Sequence, residues 1–416
     1  MAPRYAPNLR SRLPVVALLL EACFILLFAF FVDISEGIED FPHIYAVFQD
    51  VHVMVFLGFG FMATFLVRYG FSSSGFSLLV AAMTVQWAIL MHGFLLVPRG
   101  REMIAVNMQS LVFAEMYAAS SLIAMGTMLG KINPVHLLIM ALLEVTGFIV
   151  NQWLLQTLLR VQPLQSMMLL HIFGAFFGVM VSCVLYRKGI EPVHEKEKLH
   201  SKSGLFSMLG TLFLWIFWPS FNSAYLFSLH KINAQFKTVC STYLSLAVSC
   251  VTATSISVLC SSKGKINLAH VQNCMLAGGV TVAVAISVID QPWVAMTTGL
   301  SAALISTLSF RFIKRHMQMA FDCHDTCGVL SVHGIPGILG WCIHLIIQLT
   351  ISDDFTVAVR FAVYHITILL TTVAMSLAMG TITGILLKWK IWRPPQNRKC
   401  FDDQAYWEFP HLAVHK

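Results

Sequence analysis

The sequence has few charged residues and lacks the motifs that mark familiar classes of enzyme or pump. Of its 416 residues only 11% are charged, whereas 57% are hydrophobic. No G-x-x-x-x-G-K-[ST] loop is present, so ATP-driven transport is unsupported. No HExxH motif or Ser/His/Asp constellation is evident either. We therefore expect neither an enzyme activity nor a cofactor.

The ten cysteines have neither the spacing of a disulfide framework nor that of a zinc site. Most lie in apolar stretches, and we expect free thiols that are buried or face lipid. Residues 322–327 contain Cys-x3-Cys, but a second ligand cluster is missing and no metal site is predicted. No Asn-x-Ser/Thr sequon occurs, so N-glycosylation is not expected.

The apolar residues form long continuous runs, and these predict an all-α polytopic membrane protein. A soluble protein cannot bury so much apolar surface, whereas transmembrane helices expose it to lipid. A transmembrane barrel would instead need short alternating segments. The net charge of +7 could suggest nucleic acid, but no basic aromatic stripe accompanies it, and no nucleic-acid partner is expected.

Apolar windows of about 20 residues between charged or Gly/Pro breaks predict about twelve transmembrane helices. They are expected at residues 13–32, 51–68, 77–97, 108–129, 135–155, 166–186, 204–224, 238–260, 268–288, 292–310, 332–350 and 359–387. The first run is long enough to span and is interpreted as a retained signal anchor. The last is long, and we expect it to tilt or to continue into the cytoplasm.

The distribution of basic residues predicts the orientation of these helices. With the N-terminus inside, 21 of the 27 Lys and Arg residues fall in inside segments, as the positive-inside rule requires. The prediction is a cytoplasmic N-terminus at 1–12, one transmembrane domain at 13–387 and a cytoplasmic tail at 388–416.

Two histidines near membrane depth open similar glycine-spaced segments, His171 in HIFGAFFG and His333 in VHGIPGILG. An ionisable ring in hydrocarbon is costly and usually faces a pore, a cavity or a partner. The two lie five spans apart, so their segments run in opposite directions. This suggests inverted repeats made of spans two to six and seven to eleven. Spacing alone leaves two alternatives: facing rings that hold a small polar solute or relay a proton, or two unrelated histidines bonded to backbone carbonyls.

Other polar or aromatic positions carry weaker signals. In FLWIFWPSFNSA, residues 213–224, most aromatics are interpreted as packing, but Phe221 follows a proline where a gate can form. Intramembrane acids are either cation sites or, more commonly, groups bonded to a helix end or a neighbouring helix. Four positions are assigned to this class: Glu21, Glu115, Glu144 and Asp290.

Longer motifs carry a resemblance to a known family. MLGKINP, GTLFLWIFWPSFNSA, VQNCMLAGGV, HDTCGVLSVHGIPGILG and FDDQAYWEFPHLAVHK together resemble the Rh family of the ammonium transporter superfamily, over nearly the whole chain. The end of the chain and its opening, LPVVALLLEACFILLF, look most like the non-glycosylated Rh blood-group polypeptides of red cells.

The resemblance implies a trimer with one narrow hydrophobic pore in each protomer and two inverted five-helix repeats. By motif, His171 and His333 match the twin pore histidines, and Phe221 matches the inner-lying gate phenylalanine. Met116 stands in place of the outer gate phenylalanine. Pro163 stands where conducting relatives have an aspartate that helps to organise ammonium recruitment. With proline at position 163, the carboxylate that would support a cation is missing.

The resemblance also implies partners and a location. Blood-group Rh polypeptides are regarded mainly as partners of the Rh-associated glycoprotein, linked through ankyrin to the membrane skeleton. We therefore expect a subunit of a red-cell plasma-membrane complex, in a homo- or heterotrimer within the lipid bilayer. The altered entrance does not exclude a second activity, which is facilitative conduction of ammonia, ammonium or carbon dioxide. The alternative is a fully competent ammonia channel acting as a homotrimer.

Overall fold

The chain forms a bundle of helices in a computed structural model that describes residues 9–34, 41–97, 103–187, 201–227, 231–392, 395 and 397–408. The helices in this part of the chain are α1 Leu9–Phe31, α2 Phe41–Val53, α3 Phe59–Met62, α4 Gly70–Leu95, α5 Met108–Met128, α6 Pro134–Thr157, α7 Pro163–Met168, α8 Leu170–Val184, α9 Ser201–Phe227, α10 Ile232–Leu259, α11 Leu268–Cys274, α12 Ala277–Ala285, α13 Pro292–Leu308, α14 Lys314–Phe321, α15 Ile335–Ile351 and α16 Phe355–Leu387.

These helices build twelve segments long and apolar enough to cross a membrane. Four segments each combine two helices: α2 with α3, α7 with α8, α11 with α12, and α13 with α14. The predicted number of spans is confirmed, and the chain is a multi-pass membrane protein. The bounds of the spans differ from the predicted ones because an apolar window marks only the part of a helix that crosses the hydrocarbon. The tenth span, for example, continues to Phe321, and the last begins at Phe355.

Short irregularities interrupt this helical architecture at defined places. Three π-helical turns occur in the described residues: Met54–Gly58, Ser309–Ile313 and Leu330–Gly334. Two three-residue strands, β1 Val32–Ile34 and β2 Ile104–Val106, pair in parallel. They connect the end of α1 to the residues just before α5.

The helices form two inverted five-helix repeats, as the sequence predicts. In the first half α5 packs against α8 and α4 against α6, and in the second half α12 packs against α15 and α10 against α13. Each of these contacts in the first half therefore has an equivalent contact in the second half. Because the halves are related by inversion, residues that begin equivalent helices approach each other from opposite sides of the bundle.

The two ends of the bundle have different coverings. At the end that we call the tail end, residues 397–408 contact the start of α4 and the α5–α6 connection. The Asp403 carboxylate accepts hydrogen bonds from the backbone N–H groups of Phe71 and Ser72, at 3.0 and 2.7 Å. The Phe401 N–H donates to Gly130 O at 2.8 Å. The opposite end, where α7, α10 and α13 begin, is called the vestibule end.

One cysteine pair differs from the prediction of free thiols. Cys183 at the end of α8 forms a disulfide with Cys323 in the loop after α14. The prediction was wrong for these two residues because they are 140 positions apart, and sequence spacing carries no signal of such a contact. Among the others, Cys23, Cys240, Cys250, Cys260, Cys274 and Cys342 are free.

Candidate functional site

The two histidines singled out in the sequence face each other inside the bundle. The Nδ1 atoms of His171 and His333 lie 3.3 Å apart, and the ring centroids lie 5.4 Å apart with an interplanar angle of 20°. Both side chains are buried. One neutral imidazole donates and the other accepts, so the pair shares one N–H between the rings. The alternative of two unrelated histidines bonded to backbone carbonyls is therefore wrong.

Local backbone features bring the rings to this position. His171 is the second residue of α8, directly after the break at Leu169 that separates α7 from α8. His333 lies in the π-helical turn Leu330–Gly334, a local form that is frequent at functional sites. Close approach of α8 to α5 depends on glycine, because a Cβ at Gly174 would lie 2.7 Å from the Ser120 carbonyl oxygen.

Helix α9 supplies an aromatic wall beside the histidine pair. The Trp218 ring is nearly parallel to both imidazoles, with centroids 5.9 Å from His171 and 6.4 Å from His333. Phe221, three residues further along the same face, lies 6.3 Å from His171. Both aromatic residues are fully buried. Trp218 was interpreted only as packing, and its i, i+3 spacing from Phe221 was the signal that could have identified it.

Two ring nitrogens at this site have no hydrogen-bond partner in the described part of the chain. They are His171 Nε2 and Trp218 Nε1, and both are buried. A buried polar atom without a partner is costly, so such atoms need an explanation, for example a solute or an ion that binds there. Each of the two nitrogens is therefore a candidate hydrogen-bonding position for a small polar molecule.

A small apolar cavity adjoins the histidine pair on the side of the tail end. Its volume is about 50 Å³, and His333 forms part of its wall. One water-sized molecule occupies about 10–15 Å³ on this measure, so the cavity accommodates a few of them. The rest of the wall is mainly hydrophobic: Phe59, Met62, Phe65, Leu122, Ile123 and Val329.

Toward the vestibule end, α5 and α9 meet through stacked aromatic rings. Phe113 and Tyr225 lie 5.0 Å apart with an interplanar angle of 12°. Met116, the residue predicted at the outer gate, is fully buried one turn further along α5. Sequence reasoning did not identify Phe113, although its position three residues before Met116 was a signal.

The vestibule end contains an open cavity of about 650 Å³. Pro163, the first residue of α7, is among its lining residues and brings no charge to it. The lining also includes Lys231, Lys237 and Asp290, so two ammonium groups face one carboxylate. Lys237 Nζ lies 2.6 Å from Asp290 Oδ1, with side chains 57% and 68% exposed. The interpretation of Asp290 as an intramembrane acid was wrong, because the residue lies in the exposed connection before α13.

The three other acids are bonded to neighbouring helices. Glu144 accepts hydrogen bonds from the hydroxyls of Ser120 and Ser121, at 2.5 and 2.6 Å. Glu115 lies 2.5 Å from His52 Nδ1, and Glu21 accepts a bond of 3.2 Å from Gln86. These contacts agree with the structural alternative rather than with cation sites, since each carboxyl group has a protein partner.

The fold and the site define a multi-pass membrane protein with inverted repeats and a buried histidine pair between them. The model of the Ammonium Transporter Family matches residues 17–405. The chain belongs to this family. It is 39% identical to the ammonium transporter Rh type C of Homo sapiens, covering 97% of this chain and 91% of that protein. It is 38% identical to the ammonium transporter Rh type A of Bos taurus, covering 97% and 96%.

Solved structures agree with the family and the fold. Nitrosomonas europaea Rh50, of the Rhesus protein family of channels, is 28% identical and has a TM-score of 0.76, covering 89% of this chain and 93% of that chain. Saccharomyces cerevisiae Mep2 has a TM-score of 0.61 at 15% identity, covering 85% and 86%. The second likeness concerns the fold alone.

Proposed function

We propose that the chain forms a facilitative pore for neutral ammonia, and for carbon dioxide, through the centre of the bundle. The observation that carries this proposal is the His171–His333 pair, with Nδ1 atoms 3.3 Å apart, beside an apolar cavity of about 50 Å³. Ammonia donates and accepts hydrogen bonds, as a neutral imidazole does. The pair thus replaces part of the hydration that a small polar molecule loses in an apolar conduit.

The proposed path favours a neutral solute over a cation. Moving a full charge into an apolar region costs far more than moving a neutral polar molecule, because no water or counter-ion compensates it there. Ammonium would release its proton to water in the open vestibule, and ammonia would pass Met116, Phe221 and the histidine pair. Phe221 and Met116 are the proposed gate residues on this path.

The composition of the vestibule supports weak recruitment of ammonium. Pro163 provides no carboxylate, Asp290 is paired with Lys237, and Lys231 repels a cation of the same sign. The pore is therefore proposed to conduct at high substrate concentration without concentrating ammonium at its entrance. Weak recruitment favours residual conduction over the alternative, a fully competent homotrimeric channel.

We further infer that the chain acts as a blood-group-type subunit of a red-cell plasma-membrane complex. The tail end would lie in the cytoplasm, with 1–12 and 388–416 as cytoplasmic segments and 13–387 as the transmembrane domain. The Rh-associated glycoprotein in a homo- or heterotrimer, and ankyrin at the membrane skeleton, are the proposed partners. Support comes from the sequence resemblance and the altered entrance.

Reconstitution of the purified chain in liposomes tests conduction. After an ammonium pulse, entry of ammonia raises the internal pH, and we expect a faster rise than in empty vesicles. His171→Leu with His333→Leu should remove the difference, whereas His316→Ala, at an exposed position in α14, should preserve it. A rate equal to that of empty vesicles for the correctly folded wild-type chain would contradict the proposed pore.

Co-purification from erythrocyte membranes tests the complex separately. Mild solubilisation and capture of the chain should recover the Rh-associated glycoprotein and ankyrin. A chain captured at the same yield from membranes without the Rh-associated glycoprotein is the control. Recovery of homotrimers alone would contradict the subunit role and leave the conduction result unaffected.

A further inference from the structure

A second cavity lies at the tail end and is lined by basic side chains. Its volume is about 160 Å³. Five separate segments contribute one basic side chain each: Lys131, His136, Arg187, His324 and Lys388. No carboxylate is among the lining residues in the described part of the chain. We call this cavity the basic pocket.

Helix ends do not cancel the charge of the basic pocket. The C-terminal ends of α8 and α16 reach it, and each is equivalent to about −0.5 charge, while the N-terminal end of α6 adds about +0.5. Three cationic side chains, Lys131, Arg187 and Lys388, outweigh these partial charges. The walls of the pocket therefore attract an anion.

Lys131 places a charged group inside this pocket. Its side chain is more than nine-tenths buried. Its Nζ donates to Thr127 O at 2.6 Å, to Ser182 Oγ at 2.8 Å and to His324 O. A bound anion would add a full negative charge next to this ammonium group, where the low dielectric makes the attraction strong.

Two further side chains retain hydrogen-bonding capacity toward the pocket. Arg187 donates from Nη1 to Pro395 O at 2.7 Å and from Nη2 to Lys131 O at 3.2 Å. A guanidinium has five N–H donors, so others remain for a ligand. His136 Nε2 lies 3.2 Å from Leu387 O, whereas its buried Nδ1 has no partner in the described residues.

We propose that the basic pocket binds a phosphate-bearing anion. Arginine and lysine around a confined space are the groups that recognise phosphate oxygens, and a phosphate hydroxyl can donate to His136 Nδ1. The phosphate comes from the headgroup of an anionic lipid or from a soluble phosphate. Basic pockets between transmembrane helices at the cytoplasmic side bind anionic headgroups.

The location of the basic pocket gives binding a structural consequence. Arg187 bonds to Pro395 of the tail, and Lys131 bonds to the carbonyl of His324 in the loop that leads to His333. In the same loop, the backbone N–H groups of Thr326 and Cys327 donate to carbonyl oxygens at the end of α5. A bound phosphate would therefore hold the tail and this loop against the same site.

Two probes test the proposal on the purified full-length chain. Native mass spectrometry measures binding of short-chain phosphatidylinositol 4,5-bisphosphate against phosphatidylcholine, and titration calorimetry measures binding of inorganic phosphate. The variants are Arg187→Gln and Lys388→Gln, with Lys263→Gln as a matched control. Lys263 is an exposed lysine in the α10–α11 connection, outside the pocket. We expect Arg187→Gln to weaken binding about tenfold or more, the loss of one charged hydrogen-bond donor, and Lys388→Gln at its exposed position to weaken it about two- to fivefold.

The results of these two binding measurements identify the source of the phosphate and decide whether the proposal holds. Lipid binding that depends on Arg187 and Lys388 assigns the phosphate to a headgroup. Inorganic phosphate that binds with the same dependence and displaces the lipid assigns it to a soluble anion. Absence of binding by both probes, or equal loss in Lys263→Gln, would overturn the proposal. Lys388 is exposed, so its variant decides the result if Arg187→Gln does not fold.

Discussion

The centre of the proposed conduit and its vestibule differ in what they offer a solute. At the centre, two neutral rings meet at 3.3 Å among buried aromatic residues. At the vestibule, an open cavity of about 650 Å³ contains Pro163 and two lysines beside one carboxylate. The centre fits a small neutral molecule, whereas the vestibule does not favour the cation from which ammonia forms.

This difference teaches that passage and recruitment are separate physical tasks. Passage depends on a few buried hydrogen-bonding groups held in place by surrounding helices, and a change there affects every crossing event. Recruitment depends on exposed charges, which water and salt screen. We therefore expect changes at the centre to alter conduction strongly and changes at the vestibule to alter it weakly.

The largest effect is expected from removal of one imidazole at the centre. His171→Leu removes the partner of His333 and a hydrogen-bonding group of the conduit, so ammonia conductance should fall about tenfold or more, since leaving a buried polar group without its hydrogen-bond partner costs about 1–3 kcal/mol. Stopped-flow measurement of internal pH in proteoliposomes checks this. Unchanged conductance in a folded variant would place the path of ammonia elsewhere.

A smaller effect is expected from opening the aromatic wall. Phe221→Leu removes ring volume beside His171 while keeping an apolar side chain, so methylammonium uptake should rise about threefold relative to ammonia, about 0.7 kcal/mol. Radiolabelled methylammonium uptake measures this ratio. Phe213→Leu, on the same helix but farther from the histidine pair along the chain, is the control. Equal changes in both variants would argue against a gate at Phe221.

At the vestibule, an added carboxylate should produce a gain of about twofold. Pro163→Asp places a negative charge at an exposed position at the start of α7, and an exposed ion pair is worth about 0.2–1 kcal/mol. The gain should appear at low ammonium concentration and disappear at saturation or in high salt. Pro163→Asn is the uncharged control. A gain of equal size with asparagine would exclude an electrostatic cause.

The smallest effect is expected from removing one vestibule lysine. Lys231→Gln should raise uptake at low ammonium by about twofold or less, because the exposed side chain is largely screened. Uptake at two salt concentrations measures this, and the difference should vanish at the higher one. An effect larger than that of His171→Leu would reverse the proposed ranking of centre and vestibule.

Much of the fold follows from the sequence because each span carries its own signal. A helix that crosses hydrocarbon needs a long apolar run whatever its neighbours are, so the twelve runs could be counted before any contact was known. The repeats could be inferred from the opposed segments that contain His171 and His333. The exact bounds could not, since polar ends extend beyond the apolar windows and turns such as Leu330–Gly334 have no clear signature.

Parts of the site could not be predicted because they depend on contacts between distant segments. His171 and His333 are 162 residues apart, and only the packing of the two halves sets the distance between their rings. The stacking of Trp218 on both rings, the exposed pairing of Asp290 with Lys237 and the disulfide of Cys183 with Cys323 arise in the same way.

The sequence by itself determined the class of protein, the number of spans and the family, because hydropathy and motifs are properties of continuous segments. Tertiary structure decided which polar groups meet. It placed two imidazole rings, whose burial is costly, against each other at the centre. It also placed two lysines and a proline at the vestibule, and five basic side chains at the tail end. The physical reason is that hydrogen bonds and ion pairs act over a few ångströms, and only folding sets such distances between residues far apart in the chain.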